Sequence, residues 1–471
     1  MNESYDVAII GAGSAGLSAL REVRKQTERF VLVNDGPYGT TCARVGCMPS
    51  KALIEAAGAY HRRHALAAFG VSGADRLTVD VAAVLGRVRE LRDGFVDGVL
   101  KLTDALGERS IAGRARFVAP QVLEVGGRRI AARRIIIATG SRPVVPDAWA
   151  ALGPRILTSD DLFEQDTLPS RMAVVGLGSV GLEMAQALAR LDIEITGFNA
   201  SAQIAGLSDP RVNDAAVARL REAFTLHLGE AAELEAAGGQ VRVHAGDREV
   251  RVDKVLVALG RRPNVDDLGL DALGVTLDDR GMPPFDPLTL RIADLDVYLA
   301  GDASQQRPLL HEAADEGYIA GHNAGRDAPA CFERRTPLAI VFSDPNIAVV
   351  GQPYARLEPA ASLVGEADFS DQGRARMAIE NYGRLRVYAD KGTGRLLGAE
   401  LCVAHGEHLA HLLAWAVQQK LTVQDVLRLP FYHPVIEEGL RTALRDLAGQ
   451  MGGPQGADLA NCKPFPADAL D

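Results

Sequence analysis

A short, nearly all-apolar run, Tyr5–Ile10, ends on the glycine-rich GAGSAG of Gly11–Gly16. An amphipathic segment, LSALREVRKQ, follows, and then a second apolar run, Phe30–Val33. Apolar runs of this length bounded by turn residues read as buried strands, and the amphipathic stretch between them as a helix. The opening therefore predicts strand, tight turn, helix, strand, the start of a doubly wound parallel sheet. The pattern recurs where Met172–Val175 runs into GLGSVG (Gly176–Gly181), a helix-like LEMAQALARL and a second strand, Ile193–Phe198. Three more segments end a strand on a small-residue turn: IIIATGSRP (Ile135–Pro143), VLVALGRRPN (Val255–Asn264) and DVYLAGDAS (Asp296–Ser304). Such turns lie at the carboxyl ends of strands, where α/β sheets bind ligands. After about residue 335 charged and apolar residues alternate (RLRVYADKGTGRLLGAEL), and the helical HLAHLLAWAVQQ follows, so an antiparallel sheet with helices is expected there. From Gly449 the chain is rich in Gly, Pro and Ala and reads as a mobile tail.

Each glycine-rich turn has a division of labour. Gly11 and Gly176 allow the tight turn, Gly13 and Gly178 let backbone approach a pyrophosphate, and Gly16 and Gly181 let helix and strand pack closely. The helix N-terminus that follows offers unpaired N–H groups and partial positive charge to phosphates. One such fingerprint is weak; two copies, each between strand and helix, point to two separate dinucleotide sites.

At 471 residues the chain exceeds one hydrophobic core and should hold about three domains. A net charge of −10 argues against nucleic acid, whose phosphates demand a basic face. No apolar stretch approaches the roughly 18 residues of a membrane span. The start, MNESYDVAII, lacks the basic region and long apolar core of a secretory signal, so a cytoplasmic protein is expected.

Five cysteines are too few and too scattered for a secreted disulfide scaffold. Cys331, Cys402 and Cys462 stand far apart, whereas Cys42 and Cys47 sit together in TCARVGCMPSK. Pro49 marks the first turn of a helix there, which puts Cys47 at the helix N-terminus, where the dipole favours a thiolate. Lys51, one turn on, projects to the same side. Gly46 is expected to give the intervening loop the freedom to bring Cys42 back onto Cys47. A redox-active pair beside a nucleotide cofactor suggests electrons arriving as hydride and leaving as thiol. Near the end, in LPFYHPVIEEGLRTAL, His433 precedes Pro434 at an expected helix start, with Glu438 in its first turns. A histidine bonded to a carboxylate is held in one tautomer and made a better base. His405, His408 and His411 drift around a helix with no carboxylate or thiol to complete a ligand set, so a surface role is expected and no metal site is assigned.

With these pieces the chain resembles the pyridine nucleotide–disulfide oxidoreductases, closest to their dihydrolipoamide-oxidising members. The resemblance runs from about Tyr5 to Leu447. It is carried by GAGSAG, the CxxxxC of TCARVGCMPSK, ATGSRP, GLGSVGLE, GRRPN, AGDAS, LLHEAADEG, FSDP and FYHPVIEEGLRTAL. It implies an α/β fold of two Rossmann-like domains, for FAD and NAD, plus a C-terminal α+β dimerisation domain in a homodimer. The corresponding divisions are 1–145 and 266–334 for FAD, 146–265 for NAD, 335–448 for the interface and 449–471 for a flexible tail. By the same resemblance Gly11, Gly13 and Gly16 hold the FAD pyrophosphate and Asp302 the ribityl chain. Gly176, Gly178 and Gly181 receive the nicotinamide dinucleotide. Asn34, Thr41, Thr139, Gly140, Ser141, Asn199, Gly260 and Gly301 complete the cofactor-binding set. Lys51 and Glu183 would pair beside the flavin, Cys42 would attack substrate, and Cys47 would face the flavin. His433, with Glu438, would be the base, reaching across from the other subunit.

The implied reaction is dihydrolipoamide plus NAD+ giving lipoamide plus NADH, with the lipoyl group free or on a carrier protein. The alternative is an NAD(P)H-dependent reductase of another small or protein disulfide. A third reading, a docking subunit without turnover, leaves CxxxxC and HPxxxE without purpose. Two departures from the family pattern stand out. Asn34 and Asn199 occupy the places of the acids expected on the adenosine riboses; asparagine would not repel a 2′-phosphate, but Ala200–Ala205 supplies no arginine to clamp one, so NAD is favoured and NADP not excluded. Arg44 stands between the cysteines where the family usually has asparagine, and a guanidinium there would stabilise thiolate or meet an anionic substrate.

Overall fold

The computed structural model describes residues 3–451. The tail expected from Gly449 and the fifth cysteine, Cys462, fall outside it almost entirely. Two parallel sheets share one strand pattern. In the first, Ser110–Ala112, Phe30–Asn34, Glu3–Ile10 and Arg128–Ile137 lie side by side in that order, and Val297–Leu299 adds on beside Arg128–Ile137. In the second the order is Thr225–Leu228, Glu194–Asn199, Arg171–Val175, Lys254–Val257 and Ile156–Leu157, parallel throughout. Each chain path makes an antiparallel excursion before its fourth strand, through Ala115–Ala119 and Val122–Val125 in the first unit, and Glu233–Ala237, Gln240–Ala245 and Arg248–Val252 in the second. The strands are apolar on both faces because both are covered, one by helices and the other by the antiparallel strands of each excursion: Ile9, Leu32, Ile136, Ala173 and Val174 are fully buried.

The predicted strand–turn–helix units form as expected, with helices Ser14–Val23 and Ser179–Arg190. The glycines differ in what requires them. Gly11 has φ +109° and a Cβ there would lie 2.2 Å from the carbonyl oxygen of Ala138; at Gly16 a Cβ would lie 1.8 Å from that of Gly11. Gly176 and Gly181 repeat this, at 2.4 Å from Ala258 O and 1.8 Å from Gly176 O. Gly13 and Gly178 face open space instead, as positions kept clear for a ligand would.

The remainder is a five-stranded antiparallel sheet, in the order Leu338–Val341, Asn346–Gly351, Leu396–Val403, Gly383–Asp390 and Ser362–Asp368, backed by helices Gly406–Gln418 and Glu438–Gln450. Its core includes Val350, Leu385, Leu401, Leu413 and Leu444. The fold is therefore two Rossmann-like units plus an α+β unit. Among the described residues no helix is long and apolar enough to cross a membrane.

Two local expectations need correction. The stretch after Thr41 is not a loop but a short helix, Thr41–Val45, capped by the Thr40 side chain, which accepts from Ala43 N at 3.1 Å. Gly46 has φ −118°, open to any residue; it is needed because a Cβ would sit 3.0 Å from Thr41 O and 3.1 Å from Cys42 Cα, where the two helices meet. Likewise Pro434 does not open the last helix, which begins at Glu438.

Candidate active site

Both cysteines are free thiols in the structure, the dithiol form of the pair. Cys42 lies in the helix Thr41–Val45 and Cys47 is the first residue of Cys47–His61, so the abutting helices bring the sulfurs together. Their environments split them. The Cys42 thiol donates toward Cys47, which pulls Cys47 down to about 7; Lys51 and the local backbone act in the same direction, against burial and Glu183. That shared hydrogen bond, with burial, holds the Cys42 thiol well above an ordinary thiol. The helix N-terminus and Lys51 both favour the thiolate on Cys47, with Cys42 as its hydrogen-bond donor.

Lys51 Nζ donates to Glu183 Oε2 at 2.8 Å, and Glu183 is buried at 4% exposure. Glu183 comes from the second glycine-turn helix, so a contact between the two Rossmann-like units lies directly behind the cysteines. Arg261, a residue of GRRPN to which no role was attached, donates from Nε to Ser141 Oγ at 2.8 Å and from Nη2 to Ser141 O at 2.7 Å. Ser141 Oγ donates onward to Asp302 Oδ2 at 2.7 Å. The paired strands Ser141–Pro143 and Arg261–Pro263 set up this relay. Its only sequence signal was an arginine just past a strand-ending glycine.

One cavity of about 270 Å³ collects much of the expected site: Thr41, Cys42, Cys47, Lys51, Gly140, Ser141, Glu183, Gly301 and Asp302 line it, as do Gly13 and Val180 from the two glycine turns. A second, of about 480 Å³, is lined by Gly11, Asn34 and Thr139. The two meet along the turns Gly11–Gly16 and Thr139–Ser141. Gly16, Gly176, Gly178, Gly181, Asn199 and Gly260 line neither.

A dinucleotide fits this arrangement. The clear space over Gly13 suits a pyrophosphate, and Thr139 Oγ1 is buried without a hydrogen-bond partner, as a hydroxyl awaiting a polar ligand would be. The two asparagines are arranged otherwise than a simple ribose ligand. Asn34 Oδ1 accepts from Ala12 N at 2.9 Å and Nδ2 donates to Gly36 O at 3.0 Å. Asn199 Oδ1 accepts from Leu177 N at 3.0 Å, while Nδ2 donates to both Ser201 O and Gln203 O. Each braces its glycine turn.

Arg44 does not serve the sulfurs as the sequence suggested. Its stem packs beside Gly39, where a Cβ would come within 3.1 Å of it, and it does not line the cysteine cavity; the cation that acts on Cys47 is Lys51. His433 and Glu438 also lie outside that cavity. His433 Nδ1 is 3.0 and 3.1 Å from the two carboxylate oxygens of Glu438, and Glu438 Oε2 also accepts from Val435 N at 3.2 Å. The imidazole is 78% exposed. The histidine is paired as predicted, but within one chain it faces solvent. His405 lies 3.2 Å from Glu380, and His411 Nδ1 is 2.7 Å from Glu407 O.

Paired thiols beside two glycine turns, with a separate C-terminal sheet, define a flavin- and nicotinamide-linked disulfide oxidoreductase. The family model for pyridine nucleotide–disulphide oxidoreductases matches residues 5–317, and that for their dimerisation domain matches residues 338–444. The chain belongs to this family, whose members use FAD and NAD(P). It is 32% identical over 468 residues to a dihydrolipoyl dehydrogenase of Haloferax volcanii, covering 94% of this chain and 96% of that protein. It is also 32% identical over 455 residues to a mercuric reductase of Shigella flexneri, covering 93% and 80%. Among solved structures, the HOCl-induced flavoprotein disulfide reductase RclA of Escherichia coli superposes with a TM-score of 0.82 at 23% identity, covering 94% of this chain and 99% of that one. LpdA of Mycobacterium tuberculosis does so with a TM-score of 0.82 at 24% identity, again covering 94% and 99%. These two likenesses show the fold.

Proposed function

We propose that this protein oxidises dihydrolipoamide with NAD+, through the Cys42–Cys47 pair, as a cytoplasmic homodimer. The observation that carries the substrate class is the likeness, over nearly the whole chain, to a dihydrolipoyl dehydrogenase. The neighbouring free thiols Cys42 and Cys47 supply the dithiol–disulfide chemistry that such a substrate needs.

His433 of a second copy, oriented by Glu438, removes a proton from the substrate dithiol. The resulting thiolate attacks Cys42 Sγ of the oxidised pair, and Cys47 leaves as thiolate. The second substrate sulfur then attacks the first, closes the cyclic disulfide and releases Cys42. Lys51 keeps the departing Cys47 sulfur anionic; the second substrate thiol gives up its proton as it attacks, and Cys42, released as thiolate, takes up a proton and then adds its S–H hydrogen bond to Cys47. FAD, when bound, supplies the carrier that passes the electron pair to NAD+. Gly11, Gly13 and Gly16, with Thr139 and the Ser141–Asp302 relay, would hold it; Gly176, Gly178 and Gly181 would hold the nicotinamide dinucleotide. The exposure of His433 and the matched dimerisation region support its action across a two-fold axis. Apart from the redox pair, Cys331 and Cys402 form no structural disulfide among the described residues, which suits a reducing, cytoplasmic setting.

Asn199 favours NAD. Both its N–H donors are spent on Ser201 and Gln203, so it can accept from a ribose hydroxyl but has nothing to offer a 2′-phosphate. A panel with the FAD-loaded enzyme tests the whole reading: dihydrolipoamide with NAD+ should turn over, and glutathione disulfide with NADPH should not. The opposite preference would replace it with a reductase of another disulfide.

A further inference from the structure

The turn Phe342–Pro345, the FSDP of the sequence, joins the first two strands of the C-terminal sheet and is clamped onto the helix Ser179–Arg190. Gln186 Nε2 donates to Asp344 O and Gln186 Oε1 accepts from Asp344 N, both at 2.7 Å. Arg190 Nη2 donates to Asp344 Oδ2 at 2.6 Å, and the Tyr382 hydroxyl to Asp344 Oδ1 at 2.8 Å. Glu183, Gln186 and Arg190 share one helical face, so the turn runs along the face that carries Glu183. At the head of the turn Phe342 N donates to Glu183 Oε1 at 2.9 Å, and the Phe342 ring lies 4.6 Å from Lys51 Nζ. The Lys51 ammonium therefore has two fixed neighbours, a buried carboxylate and an aromatic face that attracts a cation through its quadrupole. The ring belongs to the C-terminal unit, and the carboxylate is tied to that unit through the Phe342 amide.

We infer that Phe342 is a positioning residue for the redox pair: its amide fixes Glu183 and its ring holds the ammonium of Lys51 where it faces Cys47. The C-terminal unit then does more than form an interface, because its first turn sets the charge behind the cysteines of its own chain. Without the ring, Lys51, one-third exposed, keeps only its bond to Glu183 and gains room to shift toward solvent and away from the sulfur. The inference rests on Cys47 being the flavin-facing sulfur.

The test uses the FAD-loaded full chain, reduced anaerobically with one equivalent of dithionite and titrated in pH. The long-wavelength absorbance of thiolate beside oxidised flavin is followed, with thermal unfolding recorded alongside. Phe342→Leu should move the titration midpoint up by about half a pH unit or more, while Phe342→Tyr, which keeps the ring, should stay with the wild type. A Phe342→Leu protein that is folded, even if less stable, with an unmoved midpoint would overturn the inference, as would Phe342→Tyr moving as far as Phe342→Leu. If Phe342→Leu does not fold, Gln186→Met, which loosens the turn without touching the ring, should move the midpoint in the same direction, and an unmoved midpoint there overturns the inference equally. Absence of the band in the wild type would instead remove the assignment of Cys47, and the inference with it.

Discussion

Replacing Lys51 by methionine removes the cation that faces Cys47 and leaves the rest of its helix intact. Cys47 sits at about 7, so about half of it is thiolate at pH 7. Lys51 is one of the influences pulling it down and Glu183 one pushing it up, so losing Lys51 also leaves Glu183 unneutralised; both changes act upward. An opposite charge at contact range moves a pKa by about 1–3, and the one-third exposure of Lys51 places its effect at the lower end. The midpoint should rise to about 8, and the thiolate fraction at pH 7 should fall from about half to about a tenth. The sign follows from the direction: thiolate is present above the midpoint and lost as pH falls through it, so the variant loses most between about pH 7 and 8. The assay is the pH titration of long-wavelength absorbance in the reduced, FAD-loaded enzyme. Glu183, left with the Phe342 amide, should also destabilise the variant by up to about 3 kcal/mol. Lys51→Met combined with Glu183→Gln should recover that stability. An unchanged titration midpoint in Lys51→Met would refute the electrostatic account.

Further outcomes follow from other parts of the site. Glu438 is held below the usual carboxylate range by His433, so the dyad keeps its carboxylate above that range and loses it only as pH falls through the depressed value. Glu438→Gln should cost about 10²-fold in kcat/KM for dihydrolipoamide near neutrality, with the fold and FAD content unchanged; full activity would separate this pair from catalysis. Gly181→Ala should leave little folded enzyme, since its Cβ would fall 1.8 Å from Gly176 O, whereas Gly178→Ala should fold and bind NAD poorly, as shown by calorimetry with NAD+. With Asn199 spent on its own turn, NADH should exceed NADPH in kcat/KM by about tenfold or more, and parity would show that another residue receives the phosphate.

The fold was legible because its signals are local. Each glycine turn needs its first and last glycines for reasons of backbone contact, and apolar runs such as Val7–Ile10 and Met172–Val175 are buried on both faces, so composition alone marks them. The pairing of Lys51 with Glu183 came through family resemblance, since 132 residues separate them and no periodicity links them. The short helix around Cys42 was missed because its cap, Thr40, has φ +61°, which its residue type does not announce. Arg44 misled for the same reason that Arg261 was overlooked. Charge along the sequence says nothing about which way a side chain points, and Arg261 acts only because two distant strands pair. Phe342 was invisible as chemistry: a phenylalanine in a turn gains its role from the ammonium it faces.

The central claim is that a substrate dithiol delivers electrons through Cys42 to leave Cys47 as thiolate. The most direct measurement is rapid anaerobic mixing of oxidised, FAD-loaded enzyme with dihydrolipoamide in the absence of NAD+. The wild type should develop the long-wavelength band in a phase whose rate rises with dihydrolipoamide concentration, and Cys42→Ser should develop none. A wild type that stays oxidised, or a Cys42→Ser protein reduced as fast as the wild type, would contradict it.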